Sequence, residues 1–237
     1  MDIILKAISI NANQLKLIAI ITMVIDHCAV VFLPDDFPGM LALRMIGRLT
    51  APIMCFFIAE GYFHTSNLHK YMTRLMLIAL VAHIPHNLCL SQNVWRFWEA
   101  TDVMFALLFG LIALSAYKSE RFTMWQKLLI VFVCCLLAYS ADWNYIAVLW
   151  ILGFGIFHGD IRKQLISFSA VGGLYLLQAF IYQGDLSILR RSGVFFAIPF
   201  LLLYNGEKGR KNNLIKWGFY WFYPLHLLVI FLIHQFI

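Results

Sequence analysis

An aspartate and a histidine stand side by side inside the first long apolar stretch of the chain. This stretch, residues 15–32, reads LKLIAIITMVIDHCAVVF, and Asp26 and His27 lie in its second half. A membrane helix needs about 20 mostly apolar residues, and at about 1.5 Å per residue Asp26 lies roughly 16 Å beyond Leu15, past the bilayer centre. Even lenient insertion scales charge roughly 2.5–3.5 kcal/mol for an aspartate there, so it should face the protein interior. The pair is the first candidate for a functional site.

Further polar side chains occur inside later apolar stretches. Arg44 and Arg48 are four residues apart and therefore share one face of a helix, His83 lies in the third apolar stretch, and His226 lies in YPLHLL of the last one. An aspartate that orients an imidazole makes it a better proton acceptor, and an arginine can hold a phosphate or stabilise an oxyanion. Acyl transfer uses this set, and proton-coupled transport uses the same residue types. A purely structural ion pair for Asp26, and headgroup contacts for Arg44, are the alternatives.

The composition is that of a membrane protein. Of 237 residues, 62% are hydrophobic and 13% are charged, whereas soluble domains have about 45–50% apolar and about 25% charged residues. Apolar stretches recur along the whole length, which predicts a single integral domain over residues 1–237 in a bacterial plasma membrane. The net charge of +6 is divided among small clusters between apolar stretches, so we expect no nucleic-acid partner. The five cysteines form no CxxC pair, and we expect no metal.

The hydropathy pattern predicts an all-α transmembrane bundle of about nine spans. Basic residues concentrate in alternate loops, so the positive-inside rule places the N-terminus in the cytoplasm and the C-terminus outside. Arg190 and Arg191 disagree with this alternation. The tryptophan-rich segment 95–98 is typical of an interfacial belt. The predicted spans are at about residues 15–32, 40–63, 71–90, 103–117, 124–140, 145–157, 165–182, 193–204 and 217–237.

Several of these segments, in this order, resemble the TraX family of membrane acetyltransferases, the pilin acetylases of conjugative systems. The segments are LKLIAIITMVIDH, GRLTAPIMCFFIAEG, MTRLMLIALVAHIP, VMFALLFG, IAVLWILGFG and FYPLHLL. The family is distantly similar to membrane acyltransferases that act on surface glycans. The resemblance implies acetyl-coenzyme A as the donor and the N-terminal amine of a pilin as the acceptor. A peptide amine or a glycan hydroxyl at the outer face fits the same site.

We therefore predict a membrane acetyltransferase, with a proton-coupled transporter that uses an Asp-His-Arg relay as the alternative. In the predicted enzyme Asp26 orients His27, either His27 or His226 is the general base or a transient acyl carrier, and Arg48 stabilises charge. Three basic residues, Lys70, Arg74 and Lys216, are predicted to hold the donor phosphates at the cytoplasmic mouth of a polar cleft. The complete set assigned to donor and acceptor binding is Arg44, Lys70, Arg74, His83, Asp102, Tyr145 and Lys216.

Overall fold

The regular structure of this protein is helical, as the hydropathy pattern predicts. The computed structural model describes residues 9–91, 101–182, 184–210 and 212–236, without the side chains of residues 91, 185, 213 and 216. The predicted belt at residues 95–98 lies outside the described residues. The α-helices are α1 (Ala12–Phe32), α2 (Met40–Gly47), α3 (Thr50–His64), α4 (Leu68–His86), α5 (Val103–Lys118), α6 (Met124–Leu137), α7 (Asn144–Ile156), α8 (Ile161–Tyr182), α9 (Asp185–Ser192), α10 (Ala197–Leu202) and α11 (Asn213–Phe236).

Five helical segments of the described residues are long and apolar enough to cross a membrane. They are Ala12–Phe32, Met40–His64, Leu68–Leu90, Ile161–Tyr182 and Trp217–Phe236, and α5, α6 and α7 are shorter apolar helices. Each of the nine predicted spans coincides with a helix or with two consecutive helical segments. The number of spans and their orientation stay predictions.

Prolines mark the places where predicted spans are interrupted. The second predicted span is divided, because α2 ends at Gly47 and α3 begins at Thr50. Pro52 explains the break, since it has no N–H to donate to the carbonyl of Arg48 and its ring would clash with that carbonyl. In the third span, Pro85 lies in the last turn of α4, and a π-helical turn, Asn87–Ser91, follows it. Such turns often occur at functional sites.

The chain forms two compact units, which we describe separately. Unit 1 comprises residues 1–54 and 175–222, and unit 2 comprises residues 55–174 and 223–237. The prediction of a single integral domain over residues 1–237 stays a prediction.

In unit 1, α2 packs against α1, α9 and the 3₁₀ turn Gly193–Phe196. Gly193 permits this packing, because a Cβ there would lie 2.3 Å from the Met45 carbonyl oxygen. The start of α1 is fixed by a capping box, in which Asn11 and Gln14 each accept a hydrogen bond from the other's backbone N–H. These contacts give α1 and α2 a defined register.

Arg191, one of the two arginines that disagree with the alternation of loop charges, is bound within unit 1. One of its guanidinium nitrogens donates to the Tyr175 carbonyl and to Gln178 Oε1, both at 3.0 Å, and its guanidinium lies 4.4 Å from the centre of the Tyr175 ring. This side chain therefore joins α9 to α8. Because it is bound within the protein, Arg191 need not act as a solvated orienting charge.

In unit 2, α5 is the central helix and packs against α4, α6 and α7. Small residues permit the contact between α5 and α7: a Cβ on Gly110 would lie 2.3 Å from Ile151 Cδ1, and one on Gly155 would lie 2.3 Å from Leu114 Cδ1. One buried polar atom of this core is paired with the backbone of α8, since Trp150 Nε1 donates to the Phe168 carbonyl at 3.2 Å. The helices of unit 2 are thus tightly packed around α5.

Candidate functional site

Asp26 forms an ion pair with Arg44 inside unit 1. Arg44 Nη1 donates to Asp26 Oδ1 at 2.8 Å, and only 16% and 15% of the two side chains are exposed. The contact joins α1 to α2. Arg44 therefore binds a residue of the protein, whereas the alternative interpretation predicted that it contacts lipid headgroups. Removing one partner of such a pair leaves an uncompensated buried charge and costs about 3–5 kcal/mol.

Gly47 brings α2 close enough to α1 for this pair to form. A Cβ on Gly47 would lie 2.3 Å from Asp26 Cβ and 2.4 Å from Asp26 Oδ1. Sequence reasoning quoted Gly47 only as part of a motif and gave it no role. The available signal was its position, three residues after Arg44 and next to Arg48.

The hydroxyl groups of Thr50 and Thr22 connect α3 to α1 about one turn before Asp26. Thr50 Oγ1 donates to the Ala19 carbonyl at 3.1 Å and lies 3.0 Å from Thr22 Oγ1. Thr22 is four residues before Asp26 and shares its helix face. Contacts from α2 and α3 therefore meet the face of α1 that carries Asp26, at Asp26 itself and one turn before it.

His27 and Arg48 complete the predicted reactive residues of unit 1. His27 is buried, with 8% of it exposed. Arg48 is half-buried and follows the last residue of α2, where its N–H donates to the Arg44 carbonyl. Unit 1 thus holds the acid, the imidazole and both arginines of the predicted set. The orientation of His27 by Asp26 stays a prediction.

A second polar cluster lies in unit 2, where α4 ends. His83, His86 and Asn87 have exposed fractions of 0%, 5% and 0%. Asn87 Nδ2 lies 2.9 Å from His83 Nε2, and Asn87 Oδ1 lies 3.4 Å from His86 Nδ1. With this orientation of the amide, Nδ2 donates to an unprotonated His83 Nε2, and His86 Nδ1 donates to Oδ1. The three side chains form one hydrogen-bonded chain.

Asp102 is the N-cap of α5 and is fully buried. Its Oδ1 accepts the Met104 N–H at 2.7 Å, while its Oδ2 has no hydrogen-bond partner within the described residues. Asp142 lies within electrostatic range of this carboxyl group. A buried carboxyl oxygen without a partner is costly unless it carries a proton or meets a ligand.

The last helix brings Tyr223 and His226 into unit 2. Both are buried, with 6% and 8% exposed, and their ring centres are 5.7 Å apart. The Tyr223 hydroxyl lies near the Val103 N–H and within electrostatic range of Asp102. Sequence reasoning placed His226 among the catalytic residues and Asn87 on the helix face of His83, but it gave Tyr223 no role. The signal for Tyr223 was its position three residues before His226 inside an apolar stretch.

The other predicted binding residues are spread over unit 2 and α11. Lys70 is exposed, Tyr145 is half-buried, and the Arg74 guanidinium lies 5.8 Å from the centre of the Tyr71 ring. The side chain of Lys216 lies outside the described residues. All of these assignments stay predictions.

Glu60 and His158 form a separate contact in unit 2. His158 Nε2 lies 3.0 Å from Glu60 Oε1, and the His158 ring stacks on Phe63 at 3.8 Å between centres. Lys118 Nζ lies 5.7 Å from the centre of the same Phe63 ring. These contacts connect α3, α5 and the loop after α7, and we interpret them as structural.

The part of the chain that the structure describes contains no group of three or more histidine, cysteine or acidic side chains that could hold a metal ion. The expectation that no metal takes part stays a prediction. Both clusters contain proton acceptors and donors, and the cluster of unit 1 also contains the arginines Arg44 and Arg48. That chemistry suits proton transfer and the stabilisation of an anion.

Comparison with known proteins extends the sequence resemblance. A family model described as "TraX protein" matches residues 11–234. The chain is 32% identical to the "Probable fimbrial assembly protein FimC, serogroup H1" of Dichelobacter nodosus over 95% of this chain and 96% of that protein. It is 21% identical to the "Uncharacterized protein RP591" of Rickettsia prowazekii over 67% of this chain and 61% of that protein. No solved structure matches.

Proposed function

The chain belongs to the TraX family, and from this premise we propose that it is a membrane-embedded acetyltransferase. It transfers an acetyl group from cytosolic acetyl-coenzyme A to an amine, or to a hydroxyl, at the outer face of the bacterial plasma membrane. The similarity to a protein named for fimbrial assembly favours a pilin or another fimbrial peptide as the acceptor.

The observation that carries this proposal is the buried Asp26–Arg44 ion pair beside His27. The two charges are held 2.8 Å apart, and each lies in a helical segment that is apolar enough to cross a membrane. Ionisable residues at such depth mark functional sites by default. An imidazole next to a fixed carboxylate, with two arginines nearby, is a set that can move a proton and stabilise an oxyanion.

In the proposed reaction, His27 and Arg48 assist two successive steps. The acceptor nitrogen attacks the thioester carbonyl carbon while His27 takes the proton from that nitrogen. Arg48 stabilises the negative charge that develops on the carbonyl oxygen. The carbon–sulfur bond then breaks, and the proton on His27 passes to the leaving sulfur, so that coenzyme A departs as a thiol. Arg44 holds the Asp26 carboxylate in place throughout.

His226 offers a second proton acceptor, in unit 2. It lies beside Tyr223, whose hydroxyl is near the N-terminus of α5. Either His226 or His27 could carry the acetyl group transiently on a ring nitrogen before the acceptor attacks. Trapping of a labelled acetyl-histidine after acid quenching would separate this route from direct transfer.

A proton-coupled transporter is the second candidate function. The chain of hydrogen bonds from His83 through Asn87 to His86 favours it, because buried histidine and acid chains serve as proton relays in transporters. This alternative predicts accumulation of a substrate without chemical change.

Labelled acetyl-coenzyme A distinguishes the two functions. Purified protein in vesicles is given the label on one side and membrane extract or pilin peptide on the other. Label in the acceptor supports the enzyme, whereas uptake of a substrate without transfer of label supports the transporter. His69→Ala is the matched control for His27→Ala, because His69 is exposed near the start of α4. Loss of transfer in both variants would contradict the site.

Sidedness provides a stricter test of the same proposal. In sealed, right-side-out vesicles, acetyl-coenzyme A supplied only inside should acetylate an acceptor supplied only outside. Transfer that requires both substrates on the cytoplasmic face would contradict the proposed direction.

A further inference from the structure

A cluster of basic side chains lies at the start of α1 in unit 1. The loop that follows α10 is held against this end by backbone hydrogen bonds: the Ile10 N–H donates to the Leu203 carbonyl at 2.9 Å, and the Ala12 N–H donates to the Glu207 carbonyl at 2.8 Å. Asn13 Nδ2 donates to the Arg210 carbonyl at 2.9 Å. The loop thereby brings Lys208 and Arg210 to the same end of α1 as Lys16. We call these three residues the α1 basic cluster.

The three residues of the α1 basic cluster all carry positive charge. Lys208 lies within electrostatic range of Lys16, and the Lys16 ammonium lies 5.4 Å from the centre of the Phe219 ring. Lys208 and Arg210 are exposed, and the carboxylate of the loop comes from exposed Glu207. Basic side chains gathered at one end of a helix can bind an anion through charge-assisted hydrogen bonds. Arginine binds phosphate in bidentate geometry and lysine binds it as a point charge.

The helix sets the distance from this cluster to the proposed site. Lys16 and His27 are eleven residues apart, which is about three turns, so they share one face of α1 about 16 Å apart. The pantetheine arm of coenzyme A is as long as four or five extended residues, about 15 Å. Phosphates bound at Lys16 would therefore place the thioester beside His27.

We propose that Lys16, Lys208 and Arg210 bind the phosphates of acetyl-coenzyme A, and that the pantetheine arm follows the face of α1 from Lys16 to His27. This inference rests on the proposed function. It places donor binding in unit 1, whereas the sequence-based assignment included Lys70 and Arg74, which belong to unit 2. Lipid headgroups also carry phosphates, so the experiment must separate the two sources.

The test uses the full-length protein in phosphatidylcholine nanodiscs. Lys208→Ala/Arg210→Ala removes two charges but keeps the Arg210 carbonyl that accepts the Asn13 hydrogen bond. Arg121→Ala/Arg162→Ala is the matched control, because it removes two exposed charges elsewhere, one from the loop after α5 and one from the first turn of α8. The dissociation constant of acetyl-coenzyme A and the KM for transfer are measured with each variant. S-acetylpantetheine, which has no phosphate, is the second donor.

We expect the first variant to raise both constants for acetyl-coenzyme A by about tenfold, equivalent to about 1.4 kcal/mol of binding. Its rate with S-acetylpantetheine should be unchanged, and the control should match the unaltered protein. Equal constants in all three proteins would overturn this inference and leave the proposed function standing. An unaltered protein that binds acetyl-coenzyme A without transferring the acetyl group would overturn the proposed function, and the dissociation constants would still test this inference.

Nanodiscs that also contain phosphatidylglycerol identify the source of the phosphate. The inference requires that the variant loses affinity for acetyl-coenzyme A in both lipid compositions. If the variant instead loses bound phosphatidylglycerol and keeps its affinity for acetyl-coenzyme A, the cluster binds lipid and the donor assignment is wrong.

Discussion

Replacing Gly47 by alanine should separate Asp26 from Arg44. The added Cβ would lie 2.3 Å from Asp26 Cβ, whereas carbon atoms in contact are about 3.5–4.0 Å apart. One helix must therefore move by about 1.2 Å or more. Added to the present distance of 2.8 Å, this movement puts the charged atoms about 4 Å apart, beyond hydrogen-bond range.

The expected cost has two parts. Overpacking of this kind typically costs about 1–3 kcal/mol, and the total approaches about 3–5 kcal/mol if the buried pair separates completely. The midpoint of thermal unfolding in detergent should fall, and acetyl transfer should fall further, because the carboxylate beside His27 is displaced.

Gly173→Ala is the matched control for this substitution. Gly173 lies in α8, and nothing lies within 4 Å of a Cβ placed there. Alanine in the interior of a helix is favoured over glycine by roughly 0.5–1 kcal/mol, so this variant should be as stable as the unaltered protein or slightly more so. If Gly47→Ala unfolds at the same temperature as Gly173→Ala and keeps its activity, the close approach at Asp26 does not support the site, and the reasoning is refuted.

Three further predictions concern the site and the topology. Asp26→Asn and His27→Ala should each abolish acetylation while the protein still reaches the membrane fraction, and near-normal turnover in either variant would contradict the assignment. Asp102→Ala should lower the free energy of unfolding by about 1 kcal/mol because it removes the N-cap of α5, whereas Asp102→Asn, which can still cap the helix, should not; equal melting curves would argue against this role. A reporter fused at Lys118 should be cytoplasmic and one fused after Ile237 should be outside, and a cytoplasmic C-terminus would show that the count of nine spans is wrong.

The helices were predictable because their signal is local. Hydropathy alone identifies α1, and the cost of an aspartate within it predicts that Asp26 turns inward. The break between α2 and α3 could have been predicted as well, since Pro52 removes the N–H that would bind the Arg48 carbonyl. The sequence interpretation treated residues 40–63 as one span, and the segment Met40–His64 is long and apolar enough to cross a membrane, but the interpretation did not predict the short interruption between α2 and α3.

The contact between Asp26 and Arg44 was not predictable from local patterns. It depends on how closely α1 and α2 approach each other. Gly47 decides the approach, and its effect appears only when α1 and α2 are packed together. Arg191 is a similar case, because its contacts with Tyr175 and Gln178 come from a different helix. The positive-inside rule counts an arginine such as Arg191 as a solvated loop charge, and only the tertiary structure shows that it is bound within the protein.

A donor bound along α1 would solve an electrostatic problem that the proposed reaction raises. The phosphates of coenzyme A are strongly charged, and burying them in the apolar interior would be prohibitive. The pantetheine arm has no ionised group and can enter a protein-lined path at a much smaller cost. With the phosphates at Lys16 and the thioester about 16 Å further along the same helix face, the charged part of the donor stays at the end of α1 while only its neutral part reaches His27. The spacing of Lys16 and His27 on one rigid helix, which is fixed by the sequence of α1 alone, then determines how deep in the membrane the acetyl group is delivered.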